Sequence, residues 1–192
     1  MNEFLKKIKD GEKPGGTFFE IGSITAAECL GRSGFDYMII VNEHGTFEAE
    51  STVDAIRGAN LSGIIPFVRV REISRASMMK PLDVGAKGLI IPFVEKVEDV
   101  KNIIKWAKYS PVATRGFCPS RKDGWGCDHP SDLPMYEAMD YWNKETLVIP
   151  QCETAGCLSH IEEIVSMDGV DGIFIGPFDL SIGLGIGGQF DS

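Results

Sequence analysis

The sequence lacks a membrane-spanning segment, a secretory signal and an even set of cysteines. No stretch approaches the roughly 20 consecutive apolar residues that cross a bilayer. The opening MNEFLKKIKDGEKPGG carries charges where a secretory signal needs an apolar segment. Five cysteines, in a chain without an export signal, favour reduced thiols over a disulfide framework. Together these absences predict a cytoplasmic protein.

Positive charge is also scarce. Nineteen Lys and Arg stand against 28 Asp and Glu, a net charge of −9. The resulting field repels polyanions, which argues against nucleic acid or an anionic membrane as the main partner. A small anionic substrate requires local cations that override this field. With 43% apolar residues, the 192-residue chain can bury a core, and we expect residues 1–192 to form a single domain.

Short, nearly continuous apolar runs recur along the chain, separated by segments with helical character. Such runs are typical of parallel strands that are covered on both faces. The predicted strands are GTFFEI (16–21), YMIIV (37–41), IIPFVRV (64–70), GLIIPFV (88–94), LVIPQCE (147–153) and GIFIGP (172–177). Predicted helices include SITAAECLGRSG, EKVEDVKNIIKWAKYS and TAGCLSHIEEIVSMDG. This alternation predicts an α/β protein.

The positions of the polar residues decide between two α/β architectures. Functional residue types follow several different strands: Glu43 and His44, Arg69 and Arg71, Gln151 and Glu153, and Asp179. In a (β/α)8 barrel all strand C-termini face one mouth, whereas a doubly wound sheet concentrates its chemistry at one crevice. The pattern therefore favours the (β/α)8 TIM barrel.

One glycine pattern would favour the doubly wound sheet, but its position in the chain does not fit that fold. Gly183, Gly185 and Gly188 match G-x-G-x-x-G, but they do not follow a strand directly and no helix follows them. About six strand-helix units are visible, so we expect the chain to lack the C-terminal units of the barrel. Residues 110–146 are too long for one connection, and we expect them to form an excursion near the active-site mouth.

Carboxylates after two adjacent predicted strands suggest a metal site. Gln151 and Glu153 lie two residues apart on a strand and so point to the same face. Asp179 presents a second acid from the next strand. Two carboxylates with a neighbouring amide suit a hard divalent ion such as Mg²⁺ or Mn²⁺. The alternatives are a helix cap for Glu153 and an ordinary turn for Asp179.

Arg69 and His44 complete the candidate site. A guanidinium at a strand end can grip a carboxylate or carbonyl oxygen in a fixed fork. Arg71 lies on the same side of the strand and competes for this role, and a surface ion pair is the alternative for either. A histidine side chain suits proton transfer near neutral pH, which makes His44 the candidate for this role unless it only bonds to local carbonyls. Schiff-base chemistry is disfavoured, since Lys96 begins a solvated helix.

Several motifs resemble a known family in order and spacing. They are G-T-F-F, N-E-H-G, F-V-R, L-D-V-G, I-I-P, T-R-G, Q-C-E-T and V-D-G-I-F-I-G-P-F-D-L-S, and together they cover nearly the whole chain. This series resembles the HpcH/HpaI class II aldolases, metal-dependent pyruvate aldolases of the phosphoenolpyruvate/pyruvate barrel superfamily. The resemblance implies reversible cleavage of a 4-hydroxy-2-oxo acid, such as 4-hydroxy-2-oxoheptanedioate or a 2-keto-3-deoxy sugar acid, into pyruvate and an aldehyde.

The resemblance also implies roles for individual residues. Glu153 and Asp179 would hold a divalent metal ion (Mg²⁺, Mn²⁺ or Co²⁺), while Gln151 and Gly176 would line the pyruvate site. Arg69 would contact the keto oxygen, and His44 would act as the acid/base. Asp83 would support the histidine, although its place just before a strand is the wrong end of the barrel. A homo-oligomer, trimer or hexamer, is expected.

Two departures from the family pattern stand out. Val41 occupies the position of the acid in D-x-E-H, which predicts altered subunit contacts or support near the site. The segment around Trp125 lacks a small-residue pattern, which predicts a different aldehyde pocket. Two other functions stay open: a CoA-thioester lyase of the citrate lyase β-subunit type, and a barrel that binds a 2-oxo acid without turnover.

Overall fold

Six parallel strands form one sheet, in the order in which they occur along the chain. The computed structural model describes residues 2–190. The strands are β1 (Gly16–Phe19), β2 (Tyr37–Val41), β3 (Ile65–Arg69), β4 (Gly88–Ile91), β5 (Leu147–Cys152) and β6 (Phe174–Ile175). Each pairs in parallel with the next.

Helices occupy the connections between the strands. They are α1 (Glu3–Lys9), α2 (Ile24–Arg32), α3 (Ala49–Ser62), α4 (Arg75–Asp83), α5 (Val97–Ala107), α6 (Met135–Glu145), α7 (Ala155–Ser159), α8 (Ile161–Val165) and α9 (Pro177–Gly183), with a 3-10 helix at Arg121–Gly126. All six predicted strands are confirmed, although most are shorter than predicted. The prediction for residues 88–94 extends too far because Phe93 has a positive φ of 55°, which is incompatible with an extended strand.

The sheet is strongly curled. The rings of Phe18 in β1 and Phe174 in β6 lie in edge-to-face contact, with centroids 6.0 Å apart, although these are the first and last strands. The inner face buries Ile39, Phe67 and Ile90. The described part of the chain is therefore a curled half-barrel of parallel strands.

Both faces of the central strands β2–β5 are covered, which explains their continuous apolar runs in the sequence. The outer face packs Met38, Ile40, Val68, Leu89 and Ile91 against the helices. At the N-terminal ends of the strands, α1 closes the inner face with the ring of Phe4, which contacts the rings of Tyr37 and Phe67 at 5.4 and 5.2 Å. The residues of the candidate site lie at the opposite, C-terminal ends of the strands. No helix among residues 2–190 is long and apolar enough to cross a membrane.

The predicted helix over residues 154–169 is two short helices. His160 lies at their junction rather than in a helix interior, with φ −110° and ψ 11°. Its N–H bonds to Cys157 O at 3.1 Å, so the chain closes a tight turn before α8 begins. The Thr154 hydroxyl caps the first of these helices by accepting from Cys157 N at 2.9 Å.

Residues 110–146 lie at the N-terminal ends of the strands rather than over the mouth. Arg115 Nη2 pairs with Asp83 Oδ1 at 2.6 Å, and Arg121 Nη1 donates to Val84 O at 2.7 Å. The physical reason is topological. The segment joins the end of α5 to the start of β5, and in a parallel sheet every helix-to-strand connection begins and ends at the N-terminal edge.

Candidate active site

Glu153 is a buried carboxylate directly after β5. Its side chain is 3% exposed. Oε1 accepts a hydrogen bond from Phe93 N at 2.6 Å. Oε2 accepts from Gln151 Nε2 and, at 3.4 Å, from Arg69 Nη2. Since burial of a charged group is costly without partners, these three donors account for a carboxylate in this position. The predicted pairing of Gln151 and Glu153 on one face is confirmed.

The Phe93 donor depends on an unusual backbone conformation. Its φ of 55° is rare for a residue with a side chain, and such conformations cost about 1–3 kcal/mol. This turn directs the Phe93 N–H to Glu153, while the Phe93 ring is exposed. Strain of this kind persists where the surrounding structure holds it, and it concentrates at functional sites. Sequence reasoning did not identify Phe93, and the Pro-Phe-Val pattern gives no signal for a positive φ.

Arg69 ends β3 between two carboxylates. Its Nη2 lies 2.7 Å from Glu43 Oε2 and 3.4 Å from Glu153 Oε2, and the side chain is 11% exposed. Arg69 Nη2 donates a hydrogen bond to Glu153 Oε2. Its closer contact, with Glu43 Oε2, is an ion pair that lacks hydrogen-bond geometry. The guanidinium therefore provides a fixed positive charge at the mouth.

Glu43 links Arg69 to His44. Glu43 Oε2 lies 3.7 Å from His44 Nε2, and the histidine is 67% exposed. Burial raises the pKa of the Glu43 carboxyl, Arg69 and then His44 oppose the rise, and the carboxylates of Glu153 and Asp179 add to it. The sequence marks Glu43 only by the change from apolar to polar residues at the end of β2, and that signal predicted no role for it.

Gly176 makes close packing possible beside Glu153. Its N–H donates to Cys152 O at 3.0 Å, which extends the pairing of β5 with β6. A Cβ at this position would lie 2.7 Å from Gln151 Nε2 and 2.8 Å from Glu153 Cβ. Asp179 is exposed and lies in the first turn of α9, one turn beyond Gly176. Side chains in a first turn lean back towards the helix start.

The close approach at Gly176 gives a testable prediction. Gly176→Ala is expected to lower turnover about 10- to 100-fold, because the new Cβ must displace the side chains of Gln151 and Glu153. Steady-state kinetics of the purified variant checks this. Gly172→Ala is the matched control, since nothing lies within 4 Å of a Cβ there. Equal activity of the two variants would contradict the importance of the close packing between Gly176 and the side chains of Gln151 and Glu153.

Two predicted residues lie away from this group. Asp83 is at the end of α4, towards the N-terminal ends of the strands, where it pairs with Arg115. Its catalytic role thus stays a prediction from the resemblance. Arg71 Nη2 pairs with Glu48 Oε1 at 2.9 Å and lines a groove of about 430 Å³ between α3 and α4. Of the two arginines, Arg69 is the one in contact with Glu153.

The donor set fits a divalent cation that also takes ligands from substrate or water. Among residues 2–190, no three His, Cys, Asp or Glu side chains are grouped so as to hold a metal ion by themselves. Several buried side-chain atoms lack a hydrogen-bond partner, and three of them meet here: Glu43 Oε2, Arg69 Nε and Gln151 Oε1. Buried polar groups without partners are uncommon in folded proteins. Unused donor and acceptor capacity next to carboxylates is consistent with a site for a polar ligand and a cation.

The fold defines a class: an α/β protein whose parallel strands form a curled half-barrel, with the candidate site at the C-terminal ends of those strands. The HpcH/HpaI aldolase/citrate lyase family model matches residues 16–191, and the chain belongs to this family.

Individual relatives support the assignment. A hydroxypyruvate/pyruvate aldolase of Roseobacter denitrificans is 32% identical over 191 residues, which are 98% of this chain and 72% of that protein. The HpcH/HpaI aldolase structure from Desulfitobacterium hafniense aligns with a TM-score of 0.89 at 28% identity, covering 100% of this chain and 73% of that one. The citrate synthase SbnG structure aligns with a TM-score of 0.85 at 30% identity, covering 97% and 70%.

Proposed function

We propose that the protein is a metal-dependent aldolase that reversibly cleaves a 4-hydroxy-2-oxo acid into pyruvate and an aldehyde. The observation that carries this proposal is the contact between Arg69 and Glu153, with Gln151 bonded to the same carboxylate. This contact places a fixed guanidinium, which can bind an anionic oxygen, next to a carboxylate that can bind a metal ion. Membership of the aldolase family supports the same reaction.

Each residue of the site takes a role in this proposal. Glu153 and Asp179 hold Mg²⁺, Mn²⁺ or Co²⁺, which when bound supplies Lewis-acid polarisation of the substrate's 2-oxo group. Gln151 and the backbone at Gly176 orient the pyruvate portion. The Arg69 guanidinium stabilises negative charge as it develops on the keto oxygen. His44, exposed at the mouth, takes the proton from the 4-hydroxyl during cleavage and returns it during addition.

A reaction on a CoA thioester is the second candidate, because the chain is also similar to a citrate synthase. Such a substrate brings several phosphates, which need cations near the mouth. Arg71, the exposed arginine just beyond β3, is already paired with Glu48 at 2.9 Å. This pairing disfavours the CoA reaction. Assay of acetyl-CoA with oxaloacetate separates the two: condensation without pyruvate chemistry would support the citrate synthase reaction.

We propose that the half-barrel belongs to a (β/α)8 barrel, supported by the contact of Phe18 with Phe174 across the curled sheet. The chain spans about 70% of the length of the aldolase and citrate synthase relatives. A trimeric or hexameric assembly and a cytoplasmic location stay predictions.

Enolate chemistry can be tested without knowledge of the aldehyde. With Mn²⁺ or Mg²⁺, the protein is expected to exchange the methyl protons of pyruvate with D₂O, because the polarised ketone makes them acidic. A chelator should abolish the exchange, and added metal should restore it. Proton NMR of the methyl signal measures both. Exchange that resists chelation would contradict metal dependence, and metal-dependent pyruvate binding with no exchange would favour a binding protein without turnover.

A further inference from the structure

We propose that Glu43 is a positioning residue that holds the Arg69 guanidinium away from Glu153 and so keeps the Glu153 carboxylate available to a divalent cation. This inference rests on the proposed function, because it concerns the same metal. It assigns a role to a residue that the aldolase scheme leaves without one.

The geometry places one nitrogen between two competing carboxylates. Arg69 Nη2 lies 2.7 Å from Glu43 Oε2 and 3.4 Å from Glu153 Oε2. All three side chains are largely buried, with exposed fractions of 11% for Arg69, 19% for Glu43 and 3% for Glu153. Ion pairs at such depth are screened less by solvent and salt than surface pairs. The position of Arg69 is therefore set by the balance between the two attractions.

Loss of the Glu43 charge would shift this balance. Arg69 Nε has no hydrogen-bond partner, and its Nη2 is already aligned on Glu153 Oε2. Without the opposing carboxylate, the guanidinium is free to close on Glu153 with two parallel N–H bonds, the strongest form of an arginine-carboxylate pair. A carboxylate occupied in this way competes poorly for a metal ion. Glu43 prevents this because its carboxylate makes the shorter contact with Arg69 Nη2.

A simpler role for Glu43 predicts a different result. As a nearby negative charge, it could attract the cation directly, without acting through Arg69. The two roles differ in what happens once Arg69 is removed. A direct charge effect would persist in an Arg69→Met protein, whereas a positioning effect would vanish. A double-mutant cycle isolates this coupling.

The experiment is calorimetric titration of Mn²⁺ into the parent, Glu43→Gln, Arg69→Met and the double variant. Glu43→Gln is expected to weaken Mn²⁺ binding about tenfold or more, the usual range for a group that supports a metal ligand. In the Arg69→Met background the same change should have little effect. Glu48→Gln is the matched control, because it removes one carboxylate from an exposed arginine pair at the same rim. Equal weakening in both backgrounds, or in the control, would overturn the proposal.

A kinetic measurement distinguishes positioning from general damage to the fold. For Glu43→Gln, the Mn²⁺ concentration for half-maximal pyruvate exchange should rise about tenfold, and excess Mn²⁺ should recover most of the lost exchange. A fall in kcat that excess Mn²⁺ does not restore would contradict the positioning role. Absence of Mn²⁺ binding to the parent would refute the proposed function itself. Normal binding by the parent and equally by Glu43→Gln and Glu43→Ala would refute only the role of Glu43.

Discussion

Glu153→Gln is expected to lower metal-dependent exchange of pyruvate methyl protons by at least about a hundredfold, comparable to the loss of a main electrostatic group in an active site. The substitution keeps the volume of the side chain but removes its charge, which both the metal and Arg69 require. Its amide nitrogen would also face one of the N–H donors that now converge on the carboxylate. Proton NMR of the methyl signal measures the loss.

The Glu153→Gln variant should fold, because burial of a neutral amide costs less than burial of a charge. Calorimetry should show weakened Mn²⁺ binding together with the loss of exchange. Glu163→Gln, on the exposed surface of α8, is the matched control and should retain parent activity. Exchange by Glu153→Gln near the parent rate would remove Glu153 from the metal site and contradict the aldolase scheme.

Arg69→Lys is expected to lower turnover about 10²- to 10³-fold, although it preserves the charge. The guanidinium carries several N–H donors in a rigid plane and can face Glu43, Glu153 and a substrate oxygen at once. A lysine ammonium is a compact charge on a flexible stem and cannot reproduce this arrangement. The main loss is expected in kcat, because the proposed contact strengthens as charge develops on the keto oxygen.

Steady-state kinetics separates this role from simple substrate binding. A variant that raised KM and left kcat unchanged would show that Arg69 binds the ground state and the transition state equally. Arg32→Lys is the control, because Arg32 forms an exposed pair with Glu28 at 3.4 Å on α2. That pair is solvated and contributes little, so no change is expected.

The central strands were predictable because they are covered on both faces, and continuous apolar runs such as residues 37–41 result directly from that burial. The alternation of side chains along β5 likewise placed Gln151 and Glu153 on one face. The turns and helix junctions beyond the strand ends were harder to predict. The positive φ of Phe93 accompanies a long-range hydrogen bond to Glu153 that no local pattern encodes. The break at His160 is a tight local turn that the helical spacing of apolar residues does not mark.

The location of residues 110–146 shows a different limit. Length and composition identified an unusual connection, but neither indicates the end of the sheet on which it lies. Chain direction would have answered this, since a helix after β4 returns the chain to the N-terminal edge. Glu43 was noted among the polar residues after the strands but was given no role, for a third reason. Its 2.7 Å contact with Arg69 depends on the pairing of β2 with β3, which places Val41 opposite Arg69.

The contribution of Phe93 to the site through its backbone has an evolutionary consequence. It serves Glu153 through its main-chain amide alone, while its ring projects outward. Almost any replacement would retain that donor, and glycine would adopt the left-handed geometry more readily, whereas proline would eliminate the N–H. Selection can therefore alter the ring at this position, and whatever it touches at the entrance, without disturbing the carboxylate beneath it.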